Sequence, residues 1–417
     1  MAKHPLSRLL YEIGAGAYFA GIGLASSFHP KARLMTRGRR ETLARIRERR
    51  KPGDRYLWLH ASSLGEFEQG RPLIEAVKKE HPEIKVCLTF FSPSGYEVRK
   101  NYAGADIVAY LPFDTSSDLR AFLDLLAPEM AIFVKYEFWL NALSLLRERG
   151  IPTYLISAKF RPSQPFFKPW GGLFREALKG FTEIFVQEKG SLDLLRSIGI
   201  DRVTVAGDTR ADRVIEIAEH AEKLPIVEAF AIEKPVLVVG SSWDKDEERY
   251  LPFLKEHRGE LLTIIAPHEV HEERIVSLLE SLKPLKAHRY TKGVPPEGTE
   301  VLVIDRIGIL SSVYAYGTIA YIGGGFGAGI HNTLEPAVYG LPVLFGPKYG
   351  KFAEALSLLE RGGAYSIETA EELSEILGRL LSDPAFCQRA SREARDFVRE
   401  SAGATRLILS RLFPPLP

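Results

Sequence analysis

The run Gly323-Gly-Gly-Phe-Gly-Ala-Gly-Ile-His-Asn-Thr-Leu-Glu-Pro336 combines residue types that can hold a phosphorylated ligand. Glycines let the backbone approach a ligand closely, and the free N–H groups of a helix start favour an anion such as a phosphate. The run follows Thr318 to Ile322, which reads as a buried strand, and precedes Leu334 to Tyr339, which reads as a helix start. Glu335 falls in the first helical turn, where a carboxylate can accept hydrogen bonds from a ribose. A tight turn whose glycines serve packing alone would carry the same glycines. The His331-Asn332 pair and Glu335-Pro336 follow at once and favour a nucleotide site.

A second set of polar loops follows other apolar runs. In His60-Ala-Ser-Ser-Leu-Gly-Glu66 a strand enters a small-residue turn and Glu66 opens the next helix. Gly65 would let a bulky acceptor approach, and a carboxylate there can take a proton from an attacking hydroxyl. The same position suits a residue that only complements the helix dipole. Lys135 and Glu137, in Lys135-Tyr-Glu-Phe-Trp-Leu-Asn141, follow an apolar strand, where charges need partners. Ser157-Ala-Lys-Phe-Arg161 places Lys159 and Arg161 among aromatics. That mixture suits a phosphorylated amphiphile at a membrane and equally an ordinary loop with snorkelling side chains. Arg210, in Gly207-Asp-Thr-Arg210, has a guanidinium able to grip a phosphate bidentately. Gly240-Ser-Ser-Trp243, Ala266-Pro-His268 and Asp305-Arg-Ile-Gly-Ile-Leu310 can present backbone groups to a nucleobase and its phosphate.

Positioning these loops requires strands that alternate with helices. Strand-like runs are Tyr56–Ala61, Lys85–Phe91, Ile107–Leu111, Met130–Val134, Thr153–Ser157, Glu183–Val186 and Val203–Ala206. After a charged segment, Ile215–Pro235, the series restarts with Val236–Gly240, Leu262–Ala266, Val301–Ile304, Ile319–Gly323 and Pro342–Phe345. Helical stretches such as Gly70–Glu80, Ser117–Leu126 and Leu140–Arg149 lie between them. This is the pattern of an α/β chain with parallel sheets covered on both faces. Two doubly wound, Rossmann-like domains would face a cleft lined by the carboxyl ends of both sheets, where ligands bind.

Composition narrows the classes. The 417 residues suffice for two domains with their own cores. A net charge of +2 argues against a general nucleic-acid binder. Cys87 and Cys387 have no metal-ligand or redox-motif spacing and read as small buried hydrophobes. His60, His268, His271 and His331 are scattered, without a metal-binding spacing, so no metal site is predicted.

Leu9 to Phe28 is a 20-residue apolar stretch with one charge, Glu12. As a helix it would span about 30 Å, the thickness of a bilayer's hydrocarbon core. Arg33, Arg37, Arg39, Arg40, Arg45 and further cations follow it, a flank that should stay cytoplasmic. The stretch is expected to cross the membrane. An amphipathic helix lying on the surface is the alternative, and the basic segment can rest on anionic headgroups.

Taken together, the motifs resemble one family. HASSLGE, TFFSPSG (Thr89–Gly95), YLPFD (Tyr110–Asp114), EFWLN, ISAKF, GDTR, GSSW and GGGFGAGIHNTLEP occur in the order found in the lipid IVA 3-deoxy-D-manno-octulosonic acid (Kdo) transferases of lipopolysaccharide synthesis. The resemblance covers almost the whole chain. It implies a GT-B glycosyltransferase fold: a membrane anchor over 1–30, an acceptor domain over 31–215, a donor domain over 216–395, and a C-terminal helix over 396–417 that packs back on the first domain. It implies CMP-Kdo as donor, lipid IVA as acceptor, inner-membrane lipids as surroundings, the cytoplasmic face of the inner membrane as location, and no cofactor, metal or nucleic acid.

In that resemblance Glu66 matches the general base, Glu137 a carboxylate of a Glu-Thr-Glu motif, and Arg210 a lysine that stabilises the departing phosphate. The donor site would draw on Ser241, Ser242, Pro267, His268, Ile307, Gly308, Ile309, Gly329, Asn332, Thr333, Leu334 and Glu335. The acceptor would meet Ser63, Gly65, Lys159 and Arg161. The chain departs from the family at Lys135, where a Glu is usual, at Leu140 for a Pro, at Pro267-His268-Glu269 for Pro-Arg-His, and at Gly308-Ile309-Leu310 for Gly-Glu-Leu. Arg210 keeps the charge of the family's lysine but swaps a point charge for a planar fork. Two alternatives are another enzyme of this fold using a UDP-sugar, and a membrane-tethered nucleotide-binding protein without catalysis.

Overall fold

Runs of Val, Ile, Leu and Phe buried on both faces cannot stand at a solvated sheet surface, and here they assemble into two parallel sheets. The computed structural model describes residues 5–135, 138–232 and 234–414, with side chains from Leu9 on. The chain divides into one unit of Met1–Asp212 with Ser401–Pro417 and a second of Arg213–Glu400.

The first unit contains β1 (Arg55–Ala61), β2 (Ile84–Phe90), β3 (Ile107–Tyr110), β4 (Met130–Val134), β5 (Thr153–Ala158), β6 (Glu183–Val186) and β7 (Val203–Val205). They form one seven-stranded sheet in the order β3-β2-β1-β4-β5-β6-β7. Side chains alternate across it: Trp58 and Phe133 enter one core with Phe122 and Leu146, while Leu57, Leu59 and Ile132 enter the other with Phe67 and Leu73. The second unit contains β8 (Val236–Ser242), β9 (Leu262–Pro267), β10 (Ala287–Arg289), β11 (Val301–Val303), β12 (Ile319–Ile322), β13 (Val343–Phe345) and β14 (Ala364–Ser366). Their order is β10-β11-β9-β8-β12-β13-β14.

Each sheet has one place where the chain reverses its direction of winding. In the first it lies between β1 and β4, paired with His60 opposite Phe133. In the second it lies between β8 and β12, paired with Gly240 opposite Ile322. The carboxyl end of such a pair is where open α/β sheets bind ligands. Backbone strain gathers at these ends. Lys135, Ser157 and Ser241, which follow β4, end β5 and end β8, have φ of 59°, 54° and 55°. A non-glycine residue held there costs on the order of 1–3 kcal/mol.

Helix α1 (Pro5–Ala25) is followed by a turn and by α2 (Pro30–Arg49). The apolar stretch thus ends as a helix at Ala25, short of Phe28. Among the described residues no single helix is long and apolar enough to cross a membrane; only the pair Leu9–Ala25 and Pro30–Arg49, bent by 115°, passes together on length and composition. One side of α1 is seated on the first unit. The Tyr11 hydroxyl donates to Asp114 Oδ2 at 2.5 Å, and Phe19 packs on Phe113 with centroids 4.7 Å apart. The other side exposes Leu9, Leu10, Ile13 and Leu24. Behind this contact Arg39 of α2 is buried against the rings of Phe91, Tyr110 and Phe113. Burial pushes its pKa down to about 10.

The expected final helix, Ser391 to Leu412, is two helices, Pro384–Glu400 and Ala404–Leu412, broken at Ser401–Gly403. Gly403 supplies the left-handed φ of 91° that the corner needs. Ala404, Ile408, Leu409 and Leu412 then join the core of the first unit beside Phe67 and Leu73.

Candidate active site

In the first unit the switch point is built by the loop after β1. Helix α3 (Leu64–Glu80) starts at Leu64, a turn and a half before the predicted Gly70, because Ser63 and Glu66 close its first turn. Glu66 Oε2 accepts hydrogen bonds from the N–H groups of Ser62 at 2.7 Å and Ser63 at 3.1 Å. Backbone donors at a helix start hold a carboxylate by charge-assisted bonds, and such a cap stabilises a helix by about 1 kcal/mol. The residue remains half-buried rather than sealed. A Cβ added at the neighbouring Gly65 would meet nothing within 4 Å, so packing does not require a glycine there.

His60, which opens this motif, is a core residue with 0% exposure. Trp139 Nε1 donates to its Nε2 at 3.2 Å, which places the ring proton on Nδ1, beside Thr89 Oγ1 at 2.9 Å. The loop after β4 is therefore fastened to the end of β1. Lys135 lies in that loop; Glu137 falls outside the described residues.

Arg210 sits in the first turn of the helix Thr209–Glu219. Its guanidinium is engaged by Asp208, with Nη2 to Oδ2 at 2.7 Å and Nε to Oδ1 at 3.2 Å. Burial alone would raise the Asp208 pKa, but the Arg210 charge and hydrogen bonds outweigh it and hold the carboxyl below its ordinary range. Arg210 thus presents itself as half of an ion pair. Lys159 is likewise paired, Nζ to Glu188 Oε2 at 2.7 Å, while the Arg161 side chain is exposed. Thr209 Oγ1 donates to the Gln69 carbonyl at 2.6 Å and lies 3.2 Å from Ser157 Oγ, tying α3 to the end of β5.

In the second unit the Gly-rich loop runs from Gly323 to Thr333 before the short helix Leu334–Val338. Three of its glycines are demanded by packing: a Cβ on Gly323 would lie 2.2 Å from the Ser241 carbonyl oxygen, one on Gly324 2.5 Å from the Gly329 carbonyl oxygen, and one on Gly325 2.6 Å from the Gly346 backbone. Gly329 is held at φ 134° against Phe352. Asn332 organises the helix start: its Oδ1 accepts from Leu334 N at 3.1 Å and its Nδ2 donates to Glu335 Oε1 at 3.0 Å. Thr333 and Leu334 are buried, and Thr333 Oγ1 makes no hydrogen bond.

Other expected donor contacts divide by burial. Ser242 is 1% exposed and its hydroxyl lies 2.9 Å from Tyr250 Oη, so its side chain is turned to the interior. Pro267 is buried at the end of β9, and His268 beyond it is exposed. Ile307 is 76% exposed, Gly308 has φ 92°, and Ile309 is 2% exposed as part of the core. Among the described residues no group of three or more His, Cys, Asp or Glu could hold a metal ion.

Asp246 was not legible as a site residue. It is fully buried, and its carboxylate accepts from Gly324 N at 2.9 Å, Trp243 N at 3.0 Å and Tyr321 Oη at 2.9 Å, so it suspends the Gly-rich loop from beneath. Burial raises its pKa despite these donors. The only sequence signal was an acid three residues after Trp243, and Trp is not a capping residue. Asp114 is similar: it accepts from Tyr11 and from the N–H groups of Asn141 and Ala142, capping the helix Leu140–Glu148.

Residues 37–213 match the family described as 3-deoxy-D-manno-octulosonic-acid transferase (kdotransferase). A 3-deoxy-D-manno-octulosonic acid transferase of Bordetella pertussis is 29% identical over 85% of this chain and 86% of its own. The one of Rickettsia bellii is 28% identical over 87% of this chain and 88% of its own. Among solved structures, the UDP-GlcNAc 2-epimerase of Neisseria meningitidis, bound to UDP-GlcNAc, superposes with a TM-score of 0.60 at 16% identity, over 86% of this chain and 99% of its own. With the two seven-stranded parallel sheets, that likeness makes the fold GT-B.

Proposed function

Because the chain belongs to the 3-deoxy-D-manno-octulosonic acid transferase family and is a glycosyltransferase, we propose that it transfers Kdo from CMP-Kdo to the lipid A precursor lipid IVA, with inversion and without a metal ion. The reading is supported above all by Glu66, a half-buried carboxylate at the carboxyl end of the first sheet's switch strand, beside the open Gly65.

Glu66 takes the proton of an acceptor sugar hydroxyl as its oxygen bonds to the anomeric carbon of Kdo. The bond from that carbon to the CMP phosphate breaks, and CMP leaves with the electron pair. Attack on the face opposite the leaving group inverts the centre in one step. Arg210 lends positive charge to the departing phosphate, with Asp208 fixing its guanidinium plane. The Gly-rich loop, Asn332 and Glu335 hold the donor; Ser63, Gly65 and Arg161 meet the acceptor.

An acceptor with acyl chains is met at a membrane. The exposed apolar side of α1 would lie in the interface of the inner membrane's cytoplasmic leaflet. Beside it a cavity of about 300 Å³, lined by Ser26, Arg33, Thr36, Arg37, Arg40 and Glu41, suits anionic headgroups.

The test is to incubate the full chain with CMP-Kdo and lipid IVA in the presence of EDTA and to weigh the lipid. A gain of one or more Kdo units that Glu66→Gln abolishes is expected. Turnover of a UDP-sugar in place of CMP-Kdo would move the protein to a different donor class on the same fold.

A further inference from the structure

Glu66 takes its place from Ser62, and Ser62 takes its own from the loop after β2. The Ser62 N–H donates to Glu66 Oε2 at 2.7 Å, and the Ser62 carbonyl accepts from Ser92 N at 2.8 Å. Phe91 precedes Ser92 in the chain, so the place of its ring bears on that bond. The ring lies 4.7 Å from the Trp139 ring at 27°, and the Phe91 carbonyl accepts from Arg39 Nη2 at 2.9 Å. Trp139 reaches the same turn by a second route, through its Nε1 bond to His60 Nε2 at the end of β1. His60 is sealed in a close-packed interior, so that end of the route is fixed.

Both rings are roofed by α1. Phe19, 7% exposed, lies 6.4 Å from the Trp139 ring at 27° and 4.7 Å from Phe113, and Tyr18 lies 6.4 Å from Phe91 at 15°. The Tyr11 hydroxyl also accepts from N of Leu140, the residue after Trp139, at 3.3 Å. The loops after β2, β3 and β4 therefore meet under one helix. A helix that only held the chain on lipid would need its exposed apolar side alone. Here the opposite side is matched, ring by ring, to the loops that border the Glu66 turn. Each such aromatic pair contributes about 0.5–1.5 kcal/mol beyond the area it buries.

We propose that Phe91 and Trp139 are positioning residues for Glu66 and that α1 is the clamp that holds them, so that seating α1 sets the rate of transfer as well as the place of the chain. The proposal rests on Glu66 as the base. Phe91 and Trp139 act through the Ser62 turn and not on the reacting atoms. A base displaced by about 1 Å can cost on the order of 100-fold in rate.

The experiment follows transfer from CMP-Kdo to lipid IVA in detergent micelles, where no bilayer is needed to bring the chain and the acceptor together. Phe91→Leu, Trp139→Phe and Phe19→Leu are expected to lower kcat by about 10- to 100-fold, with the Kd for CMP and the KM for CMP-Kdo unchanged. Phe91→Tyr keeps the ring and should restore the rate. Trp139→Phe keeps a ring on Phe91 and gives up the bond to His60, so it decides the matter should Phe91→Leu fail to fold. Each variant is then combined with Glu66→Gln. A residue that acts through the base has nothing left to misplace, so the double variants should transfer at the Glu66→Gln rate. A general loss of structure would lower that rate by the same factor again. Full additivity in these cycles, a matching loss of CMP affinity, or wild-type kcat in Phe91→Leu and Trp139→Phe overturns the proposal, and wild-type kcat in Phe19→Leu removes α1 from the clamp. Wild-type turnover by Glu66→Gln alone is a separate outcome, in which the base reading itself falls.

Discussion

Glu66 and Asp246 hold the same place in their two units. Each is the third residue of the helix that follows the unit's first strand, and each carboxylate reaches back to the backbone N–H at that helix's start. They differ in what lies outside. Glu66 is half-buried beside a glycine with open space, whereas Asp246 is sealed under Gly324. In the proposed reaction the first arrangement supplies the reactive group, whereas the second is a strut.

Glu66→Gln separates the two tasks that this position can perform. The amide oxygen still accepts from Ser62 and Ser63, so the melting temperature should change little, while transfer should fall by about 100- to 10,000-fold. Glu66→Ala should lose both the rate and about 1 kcal/mol of cap. A Gln variant with wild-type turnover would leave Glu66 as a cap only.

Asp246→Asn keeps a carbonyl oxygen for the N–H groups of Gly324 and Trp243 and turns an amide donor to Tyr321 Oη, whose hydroxyl must then accept. The expected loss is about 1–3 kcal/mol in denaturant unfolding, with weaker CMP binding. Asp246→Leu, lacking any acceptor, should be worse. Nucleotide affinity unchanged in both would show that the loop keeps its form without this support.

The Asp208–Arg210 pair predicts a pH signature. Because the Asp208 pKa is depressed in the folded chain, its contribution is fully present above the unfolded value of about 4 and is lost as pH falls below it. Asp208→Asn should cost on the order of 1–3 kcal/mol at neutral pH, less than for a fully sealed pair because both side chains keep some solvent. Its stability should also decline less steeply than wild type as the pH falls below about 4. Parallel curves for the two proteins would assign the acid sensitivity elsewhere.

Membrane seating is checked by flotation with vesicles of phosphatidylethanolamine and phosphatidylglycerol. Leu10→Glu with Leu24→Glu places charges on the exposed side of α1 and should release the chain, without changing CMP binding. Arg37→Glu with Arg40→Glu should remove the preference for the anionic lipid. Retention of both variants on vesicles would place the membrane contact on another surface.

Tyr11→Phe removes the hydroxyl that joins α1 to Asp114 and the start of the helix Leu140–Glu148. A loss of about 1–3 kcal/mol is expected from the buried carboxylate left short of a donor. An unchanged melting temperature would mean that the aromatic contacts of Phe19 suffice to seat α1.

Strands whose apolar runs are self-evident could be read directly: Met130–Val134 is buried on both faces and was found where the run lies. Ala287–Arg289 and Ala364–Ser366 were not, because three residues with polar members become strands only through neighbours β11 and β13. Glu66 was legible as the residue that opens α3, but its two backbone donors depend on the turn's dihedrals. Ser242 looked available because the sequence does not show that β8 continues through it, turning its hydroxyl to Tyr250. The pairing of Lys159 with Glu188 joins two separate loops, and no local pattern announces such a meeting. The apolar content of α1 was plain, whereas its division into a seated and an exposed side required the surface formed by Phe91, Phe113 and Trp139.

The helix Ala404–Leu412 fills the interior of the first unit only after the chain has passed through the whole of the second. Asp212, at the point of departure, accepts from the N–H groups of Gly403 and Thr405 at the point of return, at 2.5 and 2.7 Å. During vectorial synthesis the first unit therefore emerges from the ribosome with a bare apolar face over Leu73 and Ile74, and it waits in that state while the second unit is made. Holdase chaperones and a nearby lipid surface would compete for that face, and premature termination before the last helix would yield a sticky fragment rather than a smaller working domain.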